Sequence, residues 1–148
     1  MKEPFILFMV AGTTYALRST EVAHVEMVEQ VTAVPNAADF VDGVVFSRGQ
    51  VVPALNLRAR FGFERAPYGL ATRLLVANAG DRSVGLIVDE AREFVPIDTA
   101  SIQPPASALT GLSGRYLEGV ANIGGRLVLV LNLTEVLTFT DPALEAHT

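Results

Sequence analysis

With only two histidines, His24 and His147, and no cysteine among 148 residues, few side chains here could do covalent or metal chemistry. Disulfides, thiolate nucleophiles and cysteine-zinc sites are excluded, and a multi-histidine metal site lacks its ligands. A Ser-His-acid hydrolase would have to use His24, because His147 is the second-to-last residue. With Val25 and Glu26 following it, His24 reads more simply as a rim histidine. The carboxylate pairs Asp39/Asp42 and Asp89/Glu90 fall at the ends of expected strands, where acids face water. Lys2 is the one lysine, and neither Gly-Lys-Ser/Thr nor GxGxxG occurs. Gly124-Gly125 matches a two-residue hairpin turn, not a phosphate cradle. No calcium-loop pattern is present. The expectation is a protein that is not an enzyme and takes no metal or cofactor.

Two arginine features remain. Arg58, Arg60 and Arg65 interleave with Phe61 and Phe63, a pattern that can imitate a nucleic-acid stacking platform. A short amphipathic helix or turn with its apolar face in the core gives the same pattern. The net charge of −5, from 16 acidic and 11 basic residues, disfavours binding to phosphate backbones. Arg48 precedes Gly49 at an expected hairpin tip. The turn gains nothing from an arginine there, whereas a five-donor planar group suits a carboxylate or a helix end.

The elements that must position these residues are short, rich in Val, Leu, Ile and Phe, and punctuated by Gly, Asn, Asp and Pro, which is a many-stranded signature. Strands are expected near 5–11, 14–18, 27–34, 43–47, 51–55, 72–78, 83–88, 91–97, 115–122 and 126–131. The first hairpin turns around Gly12-Thr13 and another at Ala79–Arg82, where Gly80 supplies a positive φ. Ser19 or Thr20 caps a short helix with Val22 and Val25 on one face. Asn132 caps a second helix, with Glu135 three residues on and Leu133, Val136 and Leu137 forming its apolar stripe. The longest apolar runs are about eight residues, short of the ~20 that span a bilayer. Phe5–Gly12 reads as a strand, not a targeting segment.

The chain also repeats itself. FVDGVVFSRGQVVPALNLRARFGF at 40–63 aligns without gaps on YLEGVANIGGRLVLVLNLTEVLTF at 116–139, a period of about 76 residues. Gly43 falls on Gly119, Gly49 on Gly125, Leu55-Asn56-Leu57 on Leu131-Asn132-Leu133, and Phe63 on Phe139. A weaker echo joins 6–12 to 74–80. Units this small bury too little surface to stand alone, so two similar β subdomains related by a pseudo-twofold axis should share a core. The expected divisions are subdomain 1 at about 13–66, subdomain 2 at about 72–139 with strand 5–11 joining it, and a tail at 140–148.

The ordered set of motifs resembles the CheW-like family, the coupling adaptors of bacterial chemosensory systems, over about 5–139. Gly43-Val44-Val45-Phe46-Ser47-Arg48-Gly49, then Val51-Val52-Pro53 and Leu57-Arg58, resembles the family's Gly-Val-x-Asn-Leu-Arg-Gly-x-x-x-Pro-x-x-Asp-Leu-Arg signature. Val84-Gly85-Leu86-Ile87-Val88-Asp89 resembles its Val-Gly-x-x-Val-Asp motif. Ile102-Gln103-Pro104-Pro105 and Leu117-Glu118-Gly119-Val120 complete the order.

The resemblance implies an all-β fold of two SH3-like five-stranded barrels around a hydrophobic core. It implies a non-catalytic cytoplasmic scaffold linking chemoreceptor cytoplasmic tips to the regulatory domain of a CheA-type histidine kinase, with other CheW-like proteins as ring partners. On that reading Val22, His24, Gly43, Arg48 and Gly49 bind receptor, and Val88 and Asp89 contact the kinase. Phe46-Ser47 stands where the signature has Asn-Leu, Asn56 where it has aspartate, and His24 where relatives can carry a carboxylate. These departures fit a specialised adaptor, and also an accessory one that binds receptor without kinase. A small-ligand regulator using an inter-lobe groove is the alternative from another class.

Overall fold

The structure is a computed structural model describing residues 1–105 and 112–138; Phe139 and the 140–148 tail lie outside them, as do residues 106–111 of the Pro/Ser/Gly-rich run. The described residues form ten strands: β1 (Lys2–Val10), β2 (Thr13–Arg18), β3 (Val22–Met27), β4 (Val41–Ser47), β5 (Gln50–Asn56), β6 (Arg73–Ala79), β7 (Arg82–Val88), β8 (Glu90–Asp98), β9 (Leu117–Ile123) and β10 (Arg126–Leu131). One-turn helices α1 (Leu57–Arg60), α2 (Leu112–Arg115) and α3 (Leu133–Val136) punctuate them. The strands form two five-stranded sheets, in the orders β8-β1-β2-β10-β9 and β3-β6-β7-β5-β4. The all-β, two-subdomain architecture is thus the one expected.

The sheets do not follow the sequence halves. β2, expected in subdomain 1, lies in the first sheet beside β10, and β6 and β7, expected in subdomain 2, lie in the second beside β3 and β5. Each half donates a hairpin to one sheet and its next strand to the other: β3 leaves β2 to pair with β6, and β8 leaves β7 to pair with β1. Strand β1 pairs with β2 of its own half and with β8 of the second. Parallel pairs require long crossovers, and this exchange supplies both of them, β5 with β7 and β2 with β10.

Three cores result. Phe5, Leu7, Ala16, Ile97, Ala121, Val128 and Val130 fill the first barrel. Val45, Val52, Ala54, Leu74, Val76 and Ile87 fill the second. Between the sheets lies a shared layer that includes Ile6, Phe8, Leu17, Leu55, Leu75, Leu86, Leu131 and Val136. The period-2 side-chain rule sends Phe5 and Leu7 one way and Ile6 and Phe8 the other. A strand buried on both faces cannot alternate apolar with polar, which is why Phe5–Val10 reads as an unbroken apolar run.

The repeat is visible atom by atom. Val44 exchanges two backbone hydrogen bonds with Thr32 (2.8 and 2.9 Å), and Val120 does the same with Gln103 (2.7 and 2.9 Å). Asn56 Oδ1 accepts from the Ala59 amide (3.2 Å) at the start of α1, and Asn132 Oδ1 accepts from the Glu135 amide (3.1 Å) at the start of α3. The expected Asn132 cap is therefore formed, although Glu135 turns away to Arg115 (3.3 Å). The guanidinium of Arg60 lies 4.5 Å from the Phe40 ring and 4.9 Å from the Tyr116 ring, two residues that the repeat equates. It donates to the carbonyls of Val136 (2.8 Å) and Thr138 (3.0 Å), capping the C-terminal end of α3 from the other copy.

The stretch 19–34 differs from expectation. Ser19–Glu21 is a single 3-10 turn without a side-chain cap, and Val22–Met27 is strand, not helix. A bulge between Val22 and His24 inserts one residue, so Val22 and Val25, three apart, both face the shared core. That spacing imitates one face of a helix. Of the strand expected at 27–34, Met27 ends β3 and Thr32 makes a lone bridge. The first hairpin turns on Ala11-Gly12, one residue earlier than expected (φ 51° and 81°).

Two predictions follow from this packing. Gly43 has φ 149°, and a Cβ there would lie 2.1 Å from the Thr32 carbonyl oxygen. Gly43→Ala should therefore destabilise the protein by about 3 kcal/mol in urea unfolding, since backbone must move to admit the methyl. Glu21 carries a buried carboxylate oxygen with no hydrogen-bond partner, and burial raises its pKa. A folded-state pKa above the unfolded one means a penalty that is full above the folded pKa and gone below the unfolded pKa. Glu21→Gln should raise stability at pH 7 by about 0.5 kcal/mol, a modest figure because water still screens part of the carboxyl. The gain should vanish as the pH falls through the carboxylate range.

Candidate functional site

The described residues hold no cluster of three or more His, Cys, Asp or Glu suited to a metal ion. Chemistry therefore centres on what the sheet edges present. β3 and β4 are the two edges of the second sheet, and side chains close the seam between them. His24 Nε2 lies 2.8 Å from Glu26 Oε2 and 3.2 Å from Ser47 Oγ, and the Ser47 hydroxyl donates to Glu26 Oε2 (2.9 Å). These are the residue types of a hydrolytic triad, but the wiring is different. A triad histidine uses one ring nitrogen for the serine and the other for the acid. Here one nitrogen faces both, the serine proton is directed to the carboxylate, and Ser47 is 3% exposed. The trio is a polar clasp across the barrel seam, with each buried polar group satisfied by the others.

Beyond the clasp the seam widens into a groove of about 750 Å³, lined by Met27, Val28, Glu29, Val45, Phe46 and Arg48 among others. It lies on one barrel, whereas the ligand-regulator alternative placed its groove between the lobes. Its rim carries exposed apolar side chains: Phe46 is 74%, Val51 64% and Met27 61% exposed. Phe46 and Val51 face each other across the β4–β5 hairpin. The hairpin turns on Arg48 and Gly49, with φ 47° and 84°. Arg48 is exposed and, among the described residues, makes no hydrogen bond or ion pair. An L-residue in the left-handed region costs about 1 kcal/mol or more. Gly124 holds the equivalent position in the second copy, at φ 58°.

The expected receptor-binding residues thus divide. Arg48 and Gly49 are exposed at the hairpin tip. His24 belongs to the clasp at the foot of the groove. Val22 is half-buried against the shared core. Gly43 is buried beneath the Thr32 bridge, so no partner can touch it; its role is close packing. Of the expected kinase contacts, Val88 is 1% exposed and belongs to the shared core, which removes it as a contact. Asp89 is engaged within the chain. It takes Arg58 in a bidentate pair, Nε to Oδ1 (2.9 Å) and Nη2 to Oδ2 (2.8 Å), and accepts from the Ala11 amide (2.7 Å), tying α1 of one sheet to the first hairpin of the other. The hydrogen bond to Asp89 raises the Arg58 pKa, so the guanidinium stays charged.

The basic patch read as a nucleic-acid alternative is also spent internally. Arg58 holds Asp89, Arg60 caps α3, and Arg65 pairs with Asp42 (3.0 Å). Phe61 lies between Tyr15 (5.2 Å) and Tyr116 (5.5 Å), tilted 35° and 36° to their rings. Asn56, where the family signature has aspartate, donates to Asp42 Oδ2 (3.0 Å). An aspartate there would set two carboxylates side by side.

Sequence reasoning missed Glu26 and Ser47 as partners of His24, and Phe46, Val51 and Met27 as a surface. The repeat held a signal for one of them. Phe46 stands where the second copy has Asn122, whose side chain accepts from the Gly125 amide (3.0 Å) and closes the turn.

Comparison with known proteins agrees with the fold. The family profile described as the CheW-like domain matches residues 4–140. The chain is 28% identical over 142 residues to the chemotaxis protein CheW of Klebsiella aerogenes, covering 96% of this chain and 86% of that one. It is 29% identical over 135 residues to chemotaxis protein CheW of Bacillus subtilis (91% and 86% covered), and 29% identical over 139 residues to protein FrzA of Myxococcus xanthus (92% and 86% covered). The crystal structure of the scaffolding protein TtCheW from Thermoanaerobacter tengcongensis superposes with a TM-score of 0.87 at 26% identity, covering 95% of both chains. With a double-barrel fold, the matching repeat and a family profile spanning nearly its whole length, this chain belongs to the CheW-like domain family.

Proposed function

We propose that this protein is a non-catalytic adaptor of a bacterial chemosensory array, linking the cytoplasmic tips of chemoreceptors to a CheA-type histidine kinase. The observation that carries the reading is Arg48: an unpartnered guanidinium held at a hairpin tip, in a backbone conformation that favours glycine, beside exposed Phe46 and Val51. Aromatic residues and arginine are the types most enriched at the energetic centres of interfaces. A receptor helix would lay apolar anchors along the groove, and Arg48 would fix its register through a carboxylate. The likeness to proteins named for chemotaxis supports this, as does the clasp wiring, which disfavours hydrolysis. No helix among the described residues is long and apolar enough to cross a membrane, and the working place we assign is the cytoplasm, at receptor arrays. Kinase contact then falls to exposed second-lobe loops, because Val88 is buried and Asp89 is engaged.

Calorimetric titration against a receptor-tip hairpin fragment and, separately, the kinase regulatory domain of the same genome tests the reading. Binding to both is the expected result. Receptor binding alone would make this an accessory adaptor, and binding to neither would overturn the proposal. Arg48→Glu should weaken receptor binding at least tenfold and leave the melting transition nearly unchanged. Arg48→Gly should weaken it similarly while holding or raising stability, by no more than about 1 kcal/mol, since glycine releases the left-handed strain at some entropic cost. Parallel loss of fold and binding in both variants would return Arg48 to a structural role.

A further inference from the structure

The two copies of the repeated hairpin are built for different work. In the second copy Asn122 closes the turn onto the Gly125 amide, glycines occupy both left-handed positions, and Ile123 packs against the first barrel's core. In the first copy the same places hold Phe46, Ser47, Arg48 and Gly49. Phe46 has no acceptor for the turn amide, and its ring is 74% exposed. Ser47 is drawn into the clasp with Glu26 and His24. At positions 46 and 48 the first copy thus carries residues that do less for the turn than their counterparts and more for contact with something outside the chain.

The geometry points to a specific partner chemistry, resting on the adaptor reading above. We infer that Phe46, backed by Val51, is the apolar anchor of the Arg48 surface. It inserts into an apolar recess on an α-helical receptor tip, beside a carboxylate that pairs with Arg48. Charge complementarity sets the carboxylate, since Arg48 has no acidic partner among the described residues. Spacing sets the helix. Phe46 lies on β4 and Arg48 follows it at the hairpin tip, so ring and guanidinium leave the chain close together, and side chains four apart on a helix are offset by about 6 Å. Recess and carboxylate thus lie about one turn apart on one helix face. Met27, 61% exposed, gives the helix a second apolar contact on the opposite wall of the groove.

The test is calorimetric titration of the full chain and its variants with the receptor-tip hairpin fragment, paired with thermal melting. Phe46→Asn should bind at least tenfold more weakly and melt at the same or a higher temperature, because the introduced asparagine can accept from the Gly49 amide as Asn122 does from Gly125. Phe46→Leu should keep part of the affinity. The mirror variant Asn122→Phe should lower the melting temperature and leave receptor binding unchanged. If Phe46→Asn binds within twofold of the wild type while Arg48→Glu loses binding, the anchor assignment fails and the adaptor reading stands. If Phe46→Asn loses melting temperature and affinity together, Phe46 is structural and the assignment fails as well. If the wild-type chain does not bind the fragment, the receptor-binding part of the adaptor reading fails and the anchor falls with it.

Discussion

Both sheets must bury two faces, and this constraint governs the rest of the molecule. One face of each closes over its own barrel core, and the other meets the opposite sheet in the shared layer. A chain of 148 residues divided into two independent barrels would leave the second faces of β1, β2, β6 and β7 in water, with Ile6, Phe8, Leu75 and Leu86 exposed. Exchanging strands between halves makes that separation impossible without breaking hydrogen-bonded pairs as well as apolar contacts. Each barrel is therefore stable only as part of the pair, as expected for units this small.

Once both large faces are spent internally, what remains for partners is edges, seams and hairpin tips. The seam between β3 and β4 shows how an edge is managed. The Thr32–Val44 bridge covers part of it, the His24–Glu26–Ser47 clasp another part, and the widened remainder forms the groove. Edge strands left bare invite indiscriminate pairing. On the proposed reading, the polar clasp and the strained cationic tip make this edge selective, because an occupant would have to match a charge and an apolar ring as well as a backbone.

Much of this was legible in the sequence, for identifiable reasons. The repeat gave the pseudo-symmetry because matched glycines, Gly43 and Gly119, are each forced by a close backbone approach, and such positions tolerate no side chain. Asn132 was readable as a cap because capping is local. The exchange of strands was not readable, since the expected hairpins pair in the same way whichever sheet receives the next strand. Val22 and Val25 read as one face of a helix because a bulge in the strand reproduces helical spacing. At the site, Arg48 stood out because an arginine is a poor choice for a position that wants glycine. Val88 and Asp89 misled because a motif can mark either a contact or a structural joint, and only burial and pairing separate the two.

The same distinction applies to the polar residues as a whole. Arg58, Arg60 and Arg65 each have a partner within the chain, and each partner lies on a different element: Asp89 after β7, the carbonyls ending α3, and Asp42 on β4. These arginines join parts of the fold, and their charge is not offered outward. Arg60 shows this most fully, flanked by the symmetry-related rings of Phe40 and Tyr116, with its pKa lowered by burial. Arg48 has none of these attachments and sits at a backbone angle that its counterpart meets with glycine. Within one small chain, then, an arginine's partners distinguish a structural joint from a group left available, and by that criterion the tip of the β4–β5 hairpin is the contact surface we propose.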